Sequence, residues 1–404
     1  MTSFSSEGKA LLDDKIARAC HESKIPSVIF GVSSVAEELY FGAAGLRDLG
    51  KPSSGNVDES SILWLCSMTK LVTTIAILQL IEQKKISLDA VVSEIIPELK
   101  DPVVLDDPFG EESTFKPAKT TITLAHLLNH SSGLFVREKR DPPYTLPTLL
   151  TGDYEPTDPV GLFYTRYREN FPAIPLKFEP GSDFAYGLST CTIGFIIEKI
   201  SGQSLEEYCQ KHICTPLGIK ATFYLTPDYK ARSVALSFRE PSGEFVPWAS
   251  QVPVIEQVPK KVHLLLGGLG MYASLRDYLA LCRHLLQIRA GFAEIPILSV
   301  DSVLSLFKPT LNEVAARSVE KFTPGWKDCQ WSTGLCLNNT DWPGRRRKGS
   351  AFWYGWGGTY FFIDPTTGIT AVLGTQIVPT CDADVLRLWE QLEQIVYSHL
   401  VVDN

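Results

Sequence analysis

Ser67 and Lys70, in the run Leu63-Trp64-Leu65-Cys66-Ser67-Met68-Thr69-Lys70-Leu71-Val72, set a hydroxyl and an amine one helical turn apart on a single face. A serine and a lysine so placed make a nucleophile with its own base, and the chemistry needs no histidine. Spacing alone does not single them out, because Ser6/Lys9, Ser113/Lys116, Ser305/Lys308 and Ser318/Lys321 share it. The setting does. Ser67 opens the apolar segment Leu71 to Ile81, which predicts a buried helix ending near Gln83-Lys84-Lys85. A lysine inside such a helix either snorkels out or stays close to neutral, and the second option makes it a base. The neighbouring Cys66 offers a thiol, but its surroundings read as those of a small buried hydrophobe.

Few other residues compete. The Gly-x-Ser-x-Gly elbow of the α/β-hydrolases is absent. His126 and His130, four apart in Thr123-Leu124-Ala125-His126-Leu127-Leu128-Asn129-His130, have the spacing of a metal pair on one helix. No glutamate lies between them as in the zincin pattern, so they read as structural, with His130 bonding the backbone near Ser131-Ser132-Gly133. No metal or cofactor is expected. Tyr186 stands in a loop just before an apolar helix. It reads as packing unless it faces Ser67, where a phenol beside an ammonium can serve as both base and acid.

Composition narrows the class. At 404 residues and 44% hydrophobic content the chain can bury a large core in two lobes. A formal charge of −8 argues against nucleic acid, which demands an excess of Lys and Arg. Nine scattered cysteines without a Cys-x-x-Cys pair fit reduced thiols rather than a disulfide framework or zinc site. The N-terminus has no apolar signal core, and no run reaches the roughly 18 apolar residues of a membrane span. A cytoplasmic protein that engages no membrane is the expectation.

The elements that must position Ser67 follow from periodicity. Leu11 to Cys20 is helix-patterned; Ser27–Ser33 and Glu38–Gly45 alternate as an antiparallel pair. After the Ser67 helix come a short amphipathic stretch from Leu88 to Leu99, a loop excursion from Asp101 to Thr120, and a helix over Ile122–Asn129 capped by Thr123. A long loop is predicted from Arg137 to Pro180, then helices over Ser189–Ser201 and Leu205–Ile213. Ser274 starts a helix over Leu275–Leu286. Gly358–Asp364 and Thr370–Thr375 form a hairpin about Pro365-Thr366-Thr367-Gly368, and a last helix covers Ala383–Leu400. Strands at both ends with helices between predict an α+β fold: one antiparallel sheet flanked by helices, built from residues 1–100 and 205–404, with residues 101–204 as an inserted helical and loop lobe. The active site is expected in the cleft between them.

Four motifs in order, the Ser67 run, Ile122 to Leu134, Pro180-Gly181 leading to Tyr186, and Gly267-Gly268-Leu269-Gly270-Met271-Tyr272-Ala273-Ser274, resemble the class C β-lactamase-like superfamily with its family VIII carboxylesterases. The likeness covers nearly the whole chain. It is nearest the fungal lovastatin-type acyltransferases, through the Asp106-Asp107 excursion and the stretch from Arg346-Arg347-Lys348-Gly349-Ser350 to Ile363-Asp364-Pro365. The resemblance implies a serine β-lactamase-like (penicillin-binding, transpeptidase-like) fold, Ser67 as nucleophile, Lys70 as base and Tyr186 as second acid/base. Two departures stand out. Leu188 occupies the place of an asparagine that β-lactamases carry two residues after the tyrosine. No Lys-Thr-Gly is present; either Trp356-Gly357-Gly358 or Trp353-Tyr354-Gly355 replaces it, and the ungapped spacing to Ile363-Asp364-Pro365 favours the second. In that register the oxyanion hole is the N–H groups of Ser67 and Trp356, and Trp353, Tyr354, Gly355 and Leu188 line the substrate site.

The expected activity is acyl transfer through an acyl-Ser67 ester, from a thioester of coenzyme A or a carrier protein, or an ester, to the hydroxyl of a natural-product-type small molecule. Ester or lactone hydrolysis would use the same residues. A non-catalytic binding protein is the third reading, and retention of Ser67, Lys70 and Tyr186 together argues against it. Arg345-Arg346-Arg347-Lys348 reads either as a contact for phosphates or an acidic carrier, or as a solvated basic loop.

Overall fold

The structure, a computed structural model, describes residues 2–22, 25–110, 113–137, 146–248, 262–323 and 325–402. Its centre is a seven-stranded antiparallel sheet. The strands are β1 (Ser27–Ser34), β2 (Glu38–Gly45), β3 (Cys329–Trp331), β4 (Cys336–Asn338), β5 (Ala351–Gly355), β6 (Thr359–Asp364) and β7 (Ile369–Gly374). Their spatial order is β3-β4-β5-β6-β7-β1-β2, so the N-terminal hairpin is stitched onto the C-terminal strands, as expected. In β7–β1, Val372 lies opposite Gly31 and Thr370 opposite Ser33.

Every strand residue of β5, β6 and β7 is buried, so both faces of the sheet are covered. Alternation decides which side chain meets which layer. Tyr360 and Phe362 point at Trp389 of α5 (Ala383–His399), which packs beside α1 (Ser6–His21). Phe361, between them in sequence, points the other way, at Tyr278 of α4 (Leu275–Ala290). α2 (Thr69–Glu82), whose residues from Thr69 to Leu80 are all buried, packs against α3 (Ser189–Ser201). A helix apolar all round is a central helix, and α2 is one.

Several expected elements are different in the structure. The amphipathic stretch from Leu88 to Leu99 takes the form of two single turns, Val92–Glu94 and Pro97–Leu99, with Val92 donating its N–H to Ile122 O at 2.9 Å rather than to a helical neighbour. The 101–120 excursion contains a short strand, Val103–Leu105, paired with Phe115–Pro117 and Pro175–Leu176; residues 111–112 lie outside the described residues. The predicted loop from 137 to 180 holds a helix at Pro159–Arg168, capped by Asp158 with proline in its first turn, and a single turn at Thr148–Thr151. Residues 138–145 of that stretch are outside the described set. Leu205–Cys209 is α-helical and then widens into a π turn through Cys214.

The basic run divides: Arg346 is interior and Arg345 half-buried, whereas Arg347 and Lys348 are exposed, as in a solvated loop. Arg346 is buried and donates two bonds of 2.8 Å to the Glu393 carboxylate, which also accepts the Arg346 backbone N–H and pairs with Arg345. Its guanidinium lies over Trp342, Phe352, Phe362 and Trp389. Asp364 takes the Arg347 N–H and the Tyr397 hydroxyl. Burial pushes the Glu393 carboxyl up, but the two guanidiniums outweigh it and hold the group below its ordinary range. Glu393→Ala, which strands Arg346 without a counter-charge, should cost about 3–5 kcal/mol in urea unfolding.

Candidate active site

Ser67 sits where three segments meet. The strand Ile62–Trp64 pairs with Tyr272–Ser274, and Leu65 donates to Met271 O at 2.9 Å. Cys66 then takes a left-handed backbone, φ 47°, turning the chain so that Ser67 enters a 3-10 turn, Cys66–Met68, that runs straight into α2. From Ser61 to Leu80 only Ser67 is not fully buried. The remaining Ser/Lys pairs do not form such a site: Ser6/Lys9 is on the outer face of α1, and Lys116, Lys308 and Lys321 are all exposed.

Lys70 does not snorkel; it is 4% exposed. Its ammonium donates to Ser67 Oγ at 3.2 Å and to Gly268 O at 2.8 Å, and lies 4.6 Å from the Tyr186 ring centroid. The glycine-rich run makes this approach possible. A Cβ on Gly267 would stand 2.9 Å from Thr190 O, and one on Gly268 3.0 Å from Cys191 Sγ and 3.4 Å from Lys70 Nζ. Thr73 Oγ1 donates to Gly267 O one turn further on.

Tyr186 is boxed by aromatic rings. His130 is 4.9 Å away, Phe322 4.9 Å, Trp353 5.0 Å and Trp331 6.2 Å between centroids. Trp353 Nε1–H donates to Tyr186 Oη at 2.9 Å. Nothing in its sequence neighbourhood announces this bond, because it joins residues 167 positions apart. Trp353 lies within β5, directly opposite Phe361, while Trp356 falls in the turn after Gly355. The Trp356 and Ser67 backbone N–H groups both favour the thiolate form of Cys66, whose sulfur lies 3.9 Å from Ser67 Oγ. Burial drives the Cys66 thiol up, and Lys70 only partly opposes it. Leu188 is buried at the start of α3 and lines the same pocket.

That pocket encloses about 400 Å³ above Ser67. Leu146, Leu150, Val136, Leu269 and Phe322 form most of its wall, with Tyr354, Thr380 and Cys381 at one edge. Lys70 is its one charged side chain among the described residues.

His126 and His130 are not on one helix. The helix stops at Leu128; His126 Nδ1 accepts the Thr123 N–H and completes a capping box, whereas His130 lies beyond the end with φ 58°. His130 O accepts Ala185 N–H at 2.9 Å, which fixes the backbone leading to Tyr186. Burial, reinforced by the nearby Lys70 charge, pushes the His130 imidazole well below its usual range. A group depressed in this way supports the fold fully above about pH 6.5, and that support is lost as pH falls below it. Wild-type Tm should therefore drop more steeply from about pH 7 to about pH 5 than that of His130→Asn, which tolerates the left-handed backbone, with a limiting slope near ~1.4 kcal/mol per pH unit.

Known proteins are similar to this chain along most of their length. The acyltransferase calJ of Penicillium decumbens is 28% identical, covering 90% of this chain and 89% of its own. The lovastatin esterase of Penicillium rubens is 29% identical over 89% of this chain and 90% of its own. The unliganded simvastatin synthase LovD of Aspergillus terreus superposes with a TM-score of 0.80 at 23% identity, covering 98% of this chain and 99% of that structure. The β-lactamase family model matches residues 12–394, and with nearly the whole chain inside that match the protein belongs to the β-lactamase family.

Proposed function

We propose that the protein is a serine acyltransferase that carries its acyl group on Ser67 and delivers it to the hydroxyl of an apolar small molecule. The observation that carries this reading is a serine–lysine pair at 3.2 Å opening into a pocket walled by apolar side chains. Tyr186, acting as a phenolate with the Lys70 ammonium beside its ring, takes the Ser67 proton as Oγ attacks a thioester or ester carbonyl. The Ser67 and Trp356 N–H groups stabilise the oxyanion, and the leaving thiol or alcohol departs with a proton from Tyr186. An acceptor alcohol then yields its proton to Tyr186, attacks the acyl ester and restores the Ser67 hydroxyl. In this scheme the Trp353 N–H holds Tyr186 Oη in register, which supports Trp353-Tyr354-Gly355 as the replacement for Lys-Thr-Gly.

Acyltransferase and esterase relatives share the family, so the acceptor decides the activity. The pocket favours an alcohol. An acceptor that buries ~100 Å² of apolar surface gains about 2.5 kcal/mol, roughly a 70-fold advantage that water lacks. Leu188 strengthens the bias, because it offers no hydrogen bond to a hydrolytic water. Arg345 and Arg346 are committed to Glu393, and the exposed Arg347 and Lys348 do not line the pocket, which favours recognition of the donor through its acyl chain. Nine free thiols fit a cytoplasmic setting, and no helix among the described residues is long and apolar enough to cross a membrane.

Two measurements test this. Ser67→Ala should abolish the acyl mass shift seen with an activated ester; persistent labelling would move the nucleophile elsewhere. Leu188→Asn should raise the share of free acid over transfer product at least about threefold with an apolar alcohol present, while the acylation burst is retained. An unchanged partition would remove Leu188 from acceptor choice.

A further inference from the structure

The two N–H groups assigned to the oxyanion come from segments 289 residues apart (67 and 356), and something must hold them at one spacing. The side chain that joins them is Gln376. It is fully buried and sits just past β7 with a left-handed backbone, φ 50°. Its Oε1 accepts the Trp64 N–H at 3.1 Å; its Nε2 donates to Trp64 O at 3.3 Å and to Gly357 O at 3.2 Å. One amide thus pairs with both backbone groups of the residue three before Ser67 and with the carbonyl directly after Trp356.

Nothing in the surroundings makes this contact incidental. A Cβ on Gly357 would lie 3.1 Å from Gln376 Nε2, so the glycine leaves the room the amide uses. The flanking residues repeat the connection: Thr375 Oγ1 donates to Gly358 O at 3.0 Å, Ile377 N to Gly357 O at 2.9 Å, and Thr359 Oγ1 to Leu65 O at 3.3 Å. Gly355 is pressed against the same segment, where a Cβ would stand 2.4 Å from Leu65 O. The indole rings of Trp64 and Trp356 meet at 6.0 Å on the pocket side.

We infer that Gln376 is a positioning residue for the oxyanion hole, a buried amide clamp that sets the separation of the Ser67 and Trp356 N–H groups. The inference rests on the acyl-Ser67 reading above. Such a clamp acts on the transition state and leaves ground-state binding alone, because the oxyanion forms only as the carbonyl is attacked. Its loss should therefore lower kcat and weaken binding of a tetrahedral anion while sparing KM.

Gln376→Met keeps the side-chain length and removes all three bonds. Gly357→Ala leaves the amide intact but shifts it by a few tenths of an ångström, a milder perturbation should the first variant fold poorly. Both are measured with a p-nitrophenyl ester and with an arylboronic acid, which forms a tetrahedral adduct on serine. We expect kcat to fall roughly 10- to 100-fold in Gln376→Met and less in Gly357→Ala. KM should stay within about threefold, and boronate affinity should fall in proportion to kcat. Unchanged kcat and boronate affinity in a folded Gln376→Met or Gly357→Ala overturns the assignment, as does a parallel loss in KM. If wild-type protein shows neither a Ser67-dependent burst nor boronate binding, the acyl-enzyme reading itself has failed.

Discussion

A lysine ammonium buried among neutral groups is the constraint around which this molecule is organised. Among the described residues no carboxylate pairs with Lys70; its neighbours are a hydroxyl, a peptide carbonyl and a phenol ring. Removing an ion from water costs several kcal/mol even after relaxation. Two charge-assisted hydrogen bonds at about 1.5–3 kcal/mol each and a desolvated cation–π contact of about 2 kcal/mol offset a cost of that size only if the geometry is held. The surrounding architecture does the holding. Gly267 and Gly268 let a backbone carbonyl come within 2.8 Å of the amine, where a Cβ would crowd Thr190 O at 2.9 Å or Cys191 Sγ at 3.0 Å. A fully buried α2 prevents the lysine from swinging out to solvent.

The aromatic wall follows from the same requirement. Tyr186 must face Lys70 from a loop, and loops are poor at holding side chains. Here the loop is bonded through Ala185 to His130, stacked on rings from the helix end at Phe322 and the strand at Trp331, and tied by the Trp353 N–H. His130 stays neutral because burial and the Lys70 charge both oppose its protonation, so positive charge in the site is confined to one atom group. The left-handed turns at Cys66, His130 and Gln376 each lie where a chain leaves a regular element to reach this centre. Backbone strain of about 1–3 kcal/mol at such positions persists because neighbouring contacts fix them.

The sequence makes the regular part of this legible and the convergent part illegible, for physical reasons. Periodicity locates α2, α3, α4 and the β6–β7 hairpin, because burial of a face imposes a period on the residues that form it. The N-terminal pairing of β1 with β2 is local and equally visible. What periodicity misreads is backbone that finds its partner far away: Val92 bonded to Ile122, Val103–Leu105 held by Pro175–Leu176, and Arg346 drawn inside by a carboxylate 47 residues on. The helix at Pro159–Arg168 had a readable start in Asp158-Pro159, an N-cap followed by proline at the first helical position, but it is set in proline- and tyrosine-rich surroundings. Ser67, Lys70 and Tyr186 stand out through ordered motifs. Gln376, a glutamine between a strand end and a Pro-bearing segment, carries no local signal, since its role exists only once Trp64 and Gly357 are adjacent.

The departures from the family pattern act together on charge. In the register proposed above, Trp353 takes the place of a lysine and supplies a hydrogen-bond donor to Tyr186 Oη with no charge attached. Leu188, in the place of an asparagine, supplies neither donor nor acceptor. Neither side chain disturbs the serine–lysine pair. A pocket with a single cation, already engaged by Ser67 Oγ and Gly268 O, discriminates among acyl groups by apolar shape. Shape selection of this kind separates neighbours differing by one methylene by only about 1–3 kcal/mol. In the proposed reaction the pocket sets a size class of acyl chain, and it is the acceptor's hydroxyl, presented to Tyr186, that has to be placed with hydrogen-bond accuracy.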